Sequence, residues 1–413
     1  MISVLEAQKT VLDLVEPVGL EKSDLLGALG RVIGEDIVAP FNVPPWDNSA
    51  MDGYAVRFDD IRSASPEHPV RLTVVDYLRA GSTPNKSILD RQAARIMTGT
   101  PLPAGIDTVV RQEDTKAEGD TVLILVAPGK GDNIRRAGEN VSTGDCAIPK
   151  GTRLRPPHIG MLASFSRAYV PVFQKPRVAI LSTGDEIAEV DDERDPSKIV
   201  NSNMYSIASQ VIECGAIPLM LGIAPDTRED LAGKLRQALR ADVVLTTGGV
   251  SVGEYDYVKE VLAGLGIDIK FDKVAMRPGR PCTFGVMPGK LVFGLPGNPV
   301  SCMVGFEQFV RPALLKMIGW RHLFRQVRYA ALAEEMRKKK DLTYFLRVSV
   351  YMKDGELYAT TTGDQGSGIL KSMLQANGLM VVPEGEEIIA AGEKFPVQIL
   401  DASFELAKSS GLE

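Results

Sequence analysis

Residues 242–257 read "DVVLTTGGVSVGEYDY": an apolar run closing on two threonines and two glycines, then a segment carrying Ser251, Glu254 and Asp256. A short β-branched run bounded by glycines is a buried strand, and the segment "EYDYVKEVLAGLG" that follows has the apolar spacing of a helix. Strand, glycine turn and helix make half of a βαβ unit. Glycines in that turn let a ligand reach backbone N–H groups beside a helix N-terminus, as anions require. A tight βα turn also uses glycine, so the stretch by itself fits both readings. It matches neither a Walker A loop nor the dinucleotide fingerprint.

The surrounding sequence repeats the pattern. "RVAILSTGDEI" is a strand running into a glycine turn, "MYSIASQVIECG" a helix ended by Gly215, "AIPLMLGIAPD" a strand and "TREDLAGKLRQALR" a helix. The expected fold here is a doubly wound, mostly parallel α/β sheet, whose ligands bind beyond the carboxyl ends of the strands. Asp185, Glu186, Asp226, Glu254 and Asp256 fall there. Carboxylates converging on an anion-binding edge call for a cation such as Mg²⁺, although acids in a first helical turn also complement the helix dipole. "FDKVAMRPGRP" supplies Lys273, Arg277 and Arg280 for an oxyanion. "GLPGNPVS" is a turn shaped by Pro296 and Pro299, with Ser301 near a helix start.

The remainder differs in texture. "SVLE" is a capping box opening an amphipathic helix (Val4, Leu5, Val11, Leu12, Val15) that Pro17 and Gly19 stop. From Pro40 to about Asn140, short β-type runs alternate with Pro, Gly, Asn and Asp, which reads as a β domain with long loops; one loop, "PPWDNSAMDGYAV", carries Asp47, Asn48, Ser49 and Asp52. After Trp320, hairpin signals at Asp354-Gly355 and Pro383-Glu384-Gly385 mark a C-terminal β domain. "RKKKD", residues 337–341, reads as a solvated loop before it.

With 413 residues, several domains are expected. A net charge of −6 argues against a nucleic-acid surface. No apolar stretch reaches the ~20 residues of a membrane span, and the N-terminus lacks the pattern of a cleavable signal peptide, so a cytoplasmic protein is expected. Cys146, Cys214, Cys282 and Cys302, like His68, His158 and His322, are too scattered for a zinc site, and the thiols read as buried apolar residues. No Ser-His-Asp or Cys-His set is evident.

Taken together, "PPWDNSAMDGYAV", "RIMTGTPLPAG", "NIRRAGENV", "STGDE", "TTGGVSVGEYDY", "MRPGRP", "GLPGNPVS" and "TTGDQGSG" resemble the molybdopterin molybdenumtransferase family (MoeA and the E domain of gephyrin), in the expected order from Pro44 to Gly368. The resemblance implies a multidomain α/β plus β chain. Residues 1–22 and 175–319 would form a molybdopterin-binding α/β domain, 23–40 and 141–174 a linking domain, 41–140 a small β-rich domain, and 320–413 a C-terminal β-barrel-like domain. It implies a homodimer with an active site shared between subunits, other cofactor-biosynthesis proteins as possible partners, and a reaction in which molybdate is inserted into adenylylated molybdopterin with Mg²⁺ and release of AMP. By the same resemblance, Asp52 and Thr98 reach the site from the β domain. Glu186, Asp226 and Asp256 handle Mg²⁺, pterin or adenylate. Thr247, Gly248, Gly249 and Ser251 cradle the ligand's phosphate, Lys273, Arg277 and Arg280 bind oxyanion, and Pro296, Pro299 and Ser301 shape the pocket. Arg347 and Ser367 contribute from the C-terminal domain.

Two departures from the family pattern stand out. Asn140 occupies a position where the family often has aspartate, exchanging a carboxylate for an amide that neither neutralises a metal nor takes a proton. Arg277 and Arg280 stand where lysines are common, replacing a point charge by a planar fork. Two further readings stay open at this stage: a pterin-binding or scaffold protein without turnover, and an enzyme that inserts tungstate.

Overall fold

The structure, a computed structural model, describes residues 1–248, 258–385, 387–401 and 404. The chain divides into two compact units, residues 1–22 with 171–413, and residues 23–170.

In the first unit, helix α1 (Val4–Asp13) opens on the expected capping box: the Glu6 amide donates to Ser3 Oγ at 3.2 Å and the Ser3 amide to Glu6 Oε2 at 2.9 Å. The α/β part then runs β1 (Arg177–Thr183), α2 (Ser202–Glu213), β2 (Ile217–Ala224), α3 (Arg228–Ala238), β3 (Val243–Thr247), α4 (Val258–Gly264) and β4 (Asp268–Phe271). It continues through β5 (Met276–Arg277), β6 (Thr283–Met287), β7 (Lys290–Leu295) and α5 (Pro299–Gly305) to α6 (Arg311–Met317). The sheet order is β2-β1-β3-β7-β6-β4; the first four strands are parallel and the hairpin β6–β7 with β4 adds an antiparallel edge. Strand residues alternate between two cores, as period-two side chains must. Val178, Ile180, Val243 and Leu245 pack with α1, α2 and α6, while Ala179, Leu181 and Val244 pack with α3 and α4.

Helices α5 and α6 are joined by one π turn, Phe306–Val310. Pro312 explains it: with no N–H it cannot donate to the Gln308 carbonyl four residues back, and its ring crowds that carbonyl. The freed oxygen accepts from Gln8 Nε2 of α1 at 3.3 Å, so the defect fastens α1 to the domain. The same turn buries Glu307, which receives Arg325 Nε at 2.7 Å and Nη2 at 3.3 Å; that guanidinium also reaches Glu213 Oε1 at 2.9 Å and the Leu400 carbonyl at 3.4 Å. Gln308 and Gln398 exchange amide hydrogen bonds at 2.8 and 3.1 Å.

The C-terminal strands are β8 (Val327–Leu332), β9 (Thr343–Lys353), β10 (Glu356–Thr361), β11 (Gly378–Val382) and β12 (Lys394–Ile399). They close in the order β9-β10-β8-β12-β11-β9, and β5 adds to β9 in parallel. This is the expected barrel-like sheet, its β9–β10 turn built on Asp354 and Gly355 with φ of 51° and 81°. Along β9, Tyr344, Leu346 and Val348 fill the barrel, while Phe345 joins the core of the α/β sheet. Arg347 has the parity of Phe345 and is likewise buried.

The second unit holds a six-stranded sheet, in the order Thr108–Arg111, Gly53–Val56, Gln92–Ile96, Val70–Leu78, Thr121–Ile124 and Thr115–Glu118.

Several expectations need correction. Lys338, expected in a solvated loop, is buried, its ammonium donating to the Lys339 and Leu342 carbonyls. Leu5, expected on the apolar face of α1, is 77% exposed, because the side that meets the sheet is set by Val4, Ala7 and Val11. Cys146 is exposed; the other three thiols are buried, and desolvation pushes Cys214 and Cys282 up to about 12. They are inert packing residues.

Candidate functional site at the carboxyl end of the sheet

The carboxyl ends of β1, β3 and β7 meet at glycines. Gly248 has φ of +89°, its amide donates to the Leu295 carbonyl at 3.1 Å, and a Cβ there would lie 2.7 Å from the Thr183 carbonyl oxygen. Only glycine fits. Around it Ser182 Oγ donates to Asn201 Oδ1 at 2.8 Å and lies 3.0 Å from Thr247 Oγ1, and Asn203 Nδ2 donates to the Gly297 carbonyl at 2.7 Å. Thr183 Oγ1, Asn201 Nδ2, Asn203 Oδ1 and Thr246 Oγ1 are buried without a hydrogen-bond partner among the described residues. Burying polar atoms so is unfavourable unless a ligand completes them. The sequence reading overlooked Asn201 and Asn203; the signal was "NSN" directly before an apolar helix, and Asn201 is indeed the N-cap of α2.

Beside this edge, the Asp185 and Asp226 loops hold each other: the Asp226 amide donates to Asp185 Oδ1 at 3.2 Å and the Asp185 amide lies 3.4 Å from Asp226 Oδ2. Desolvation, together with the charges of Asp185 and Glu186, raises the Asp226 pKa. The Glu186 carboxylate lies back against Gly184. Such oxygen donors, mutually repelling, suit a hard cation. Among the described residues no group of three or more His, Cys, Asp or Glu side chains is arranged to hold a metal. Asp256, Gly249 and Ser251, with Glu254, lie outside the described residues.

The cationic side is built from both sheets of this unit. Lys273, Arg277 and Arg280 make no side-chain hydrogen bond or ion pair among the described residues, and Arg277 and Arg280 are exposed. Gly279, in the same segment, packs near the Ser301 carbonyl, and Pro299 opens α5 from the Pro296-to-Asn298 turn. The Val300 amide donates to the Ser367 carbonyl at 3.1 Å, which brings the 363–368 loop to that turn. Arg347 underlies the loop, with Nη2 donating to the Gly366 carbonyl at 3.0 Å and Nε to Ser372 Oγ at 3.1 Å. Its pKa falls to about 10, chiefly through burial, with Asp364 opposing and Arg277 reinforcing the fall.

Asp52 and Thr98 lie in the second unit and are joined there: the Thr98 amide and hydroxyl donate to Asp52 Oδ1 at 2.7 and 2.8 Å, holding that carboxyl below the usual range. Arg95 stacks on Tyr54, its carbon 4.9 Å from the ring centroid, and donates to Gln112.

Models of the MoeA N-terminal region (domain I and II) match residues 2–166, of a probable molybdopterin binding domain residues 179–316, and of the MoeA C-terminal region (domain IV) residues 329–400. The chain is 38% identical to the molybdopterin molybdenumtransferase of a Nostoc species, over 95% of this chain and 92% of that one, and 38% identical to the Bacillus subtilis protein of that name, over 97% and 94%. The chain belongs to the MoeA family.

Its fold agrees with that of a MoeA crystal structure from Pyrococcus horikosii, with a TM-score of 0.86 and 32% identity, covering 97% of this chain and all of that one. Asn140 is exposed in the second unit, its backbone N–H donating to the Val43 carbonyl at 3.1 Å. Among the described residues, no helix is long and apolar enough to cross a membrane.

Proposed function

We propose that this chain is a molybdopterin molybdenumtransferase, the activity for which its relatives are named: it inserts molybdate into adenylylated molybdopterin and releases AMP. The observation that carries the reading is the set of buried polar atoms on Thr183, Asn201, Asn203 and Thr246 at the sheet edge that have no partner among the described residues, in the same unit as Arg277 and Arg280, which form no ion pair among those residues. All the substrates are oxyanions. Donors and acceptors already fixed in place, with open glycine backbone, orient them without further ordering.

In this reading Thr247 and Gly248, with Gly249 and Ser251, receive the phosphate of the ligand, and Lys273, Arg277 and Arg280 meet molybdate beside Ser301, Arg347 and Ser367. Asp226 and Glu186, with Asp256, hold Mg²⁺, which supplies charge neutralisation to the phosphates when bound. Asp52 and Thr98 take part in the same chemistry in a homodimer with a shared site. The four-part domain division and a cytoplasmic location complete the reading. Arg347, held by Ser372 and Gly366, keeps a rigid cation under the oxyanion seat.

The test is incubation of purified protein with adenylylated molybdopterin, Mg²⁺ and molybdate. AMP release that depends on molybdate is expected; tight pterin binding without AMP release would replace the enzyme by a binding or scaffold protein. Competition by tungstate in the same assay ranks the two metals.

A further inference from the structure

Arg277 is exposed and forms no ion pair among the described residues, so nothing charged fixes its direction. One feature does. β5 and β9 pair in parallel with Arg277 opposite Tyr344, and the guanidinium carbon lies 5.8 Å from the centroid of the Tyr344 ring. The ring itself is 8% exposed and packed in the barrel core. Its hydroxyl accepts the Lys339 amide at 3.2 Å, and the buried Lys338 ammonium lies 5.2 Å from the same centroid. The unexpected burial of Lys338 thus has a local reason: it shares an aromatic platform with Arg277.

We propose that Tyr344 is a positioning residue for oxyanion binding, its ring face aiming the Arg277 guanidinium at the ligand. The inference rests on the reading of Arg277 as an oxyanion-binding group. An aromatic face attracts a cation through its quadrupole and favours arginine, whose plane can lie against it. A guanidinium held this way keeps its N–H groups free for the ligand, whereas a carboxylate partner would occupy them and cancel the charge. The ladder register sets ring and guanidinium side by side, so the barrel contributes to the seat without Tyr344 touching substrate.

The test is molybdate affinity, measured calorimetrically on the full chain without pterin, followed by steady-state kinetics. Arg277→Ala and Tyr344→Leu are both expected to weaken binding, Tyr344→Leu by roughly two- to fivefold, while Tyr344→Phe, which keeps the ring, binds like the parent. Kinetically, Tyr344→Leu raises KM for molybdate and leaves kcat unchanged. Since Tyr344→Leu opens a buried site, fluorinated phenylalanines introduced at position 344 provide a second measure: they drain the ring face with little change of shape and carry no phenol to ionise beside Arg277 and Lys338, and affinity falls with each fluorine added. Wild-type affinity throughout the fluorinated series, with Arg277→Ala still weakened, overturns the role of Tyr344 alone. Wild-type affinity in Arg277→Ala overturns the oxyanion reading on which it depends.

Discussion

Two polar clusters with buried members lie in the same unit and are built on opposite rules. Around the π turn, Glu307, Arg325, Glu213, Gln308 and Gln398 satisfy one another, and Arg325 forks onto Glu307 through two nitrogens. Burial opposes the Arg325 charge, yet the carboxylates around it keep its pKa above the ordinary value. At the carboxyl edge of the sheet, four buried polar atoms have no partner among the described residues, and Asp226 is pushed towards its neutral form by desolvation and like charges. A closed network holds elements together. An open one is poorly satisfied until a ligand arrives, which is why a binding edge is a place where native structure gives up stability.

That contrast can be broken at either end. The largest expected effect is from Arg325→Ala, which leaves the Glu307 carboxylate, 5% exposed, with Arg311 alone at 3.5 Å. A loss of about 3 kcal/mol is expected in urea unfolding, with molybdate affinity of the folded protein unchanged. Gly248→Ala comes next: a positive φ and a Cβ 2.7 Å from the Thr183 oxygen predict a loss of roughly 2 kcal/mol, together with reduced AMP release, because the turn must move.

The smallest effect sharpens the comparison because its sign reverses. The folded pKa of Asp226 lies above its unfolded value, so the folded state loses stability as pH rises through the folded pKa. Asp226→Asn removes that loss. The variant is expected to melt above the wild type at neutral pH without Mg²⁺, by a margin that shrinks on acidification, while its AMP release falls. Equal melting temperatures across the pH range would show that this edge carries no electrostatic strain.

Much of this architecture is legible in the sequence because the signals are local. The Ser3–Glu6 box, the Thr227 cap of α3 and the Asp354-Gly355 turn each decide their own geometry within a few residues. The glycine turn after β3 belongs with them, since φ of +89° at Gly248 is a property of one residue. What escaped the sequence depends on distant partners. The β6–β7 hairpin reads as an apolar stretch until β3 pairs with it, Lys338 reads as surface until Tyr344 lies beneath it, and Asn201 becomes a site residue only when Ser182 and Thr247 converge on it. Glu307 and Arg325 look like ordinary charges, because neither the π turn caused by Pro312 nor the burial of Glu307 is written in the spacing of the acids.

The bond from Gln8 to the Gln308 carbonyl spans 300 positions of chain, and Lys316 Nζ donates to the Leu12 carbonyl at 2.7 Å across 304. During synthesis, α1 leaves the ribosome long before its docking surface is complete, because that surface awaits α6. At about 5–20 residues per second, Val4, Ala7 and Val11 wait roughly 15–60 s for the core that covers them. For that interval the nascent chain carries an unburied apolar stripe on α1, which makes this helix a natural client surface for chaperones acting on the chain as it emerges.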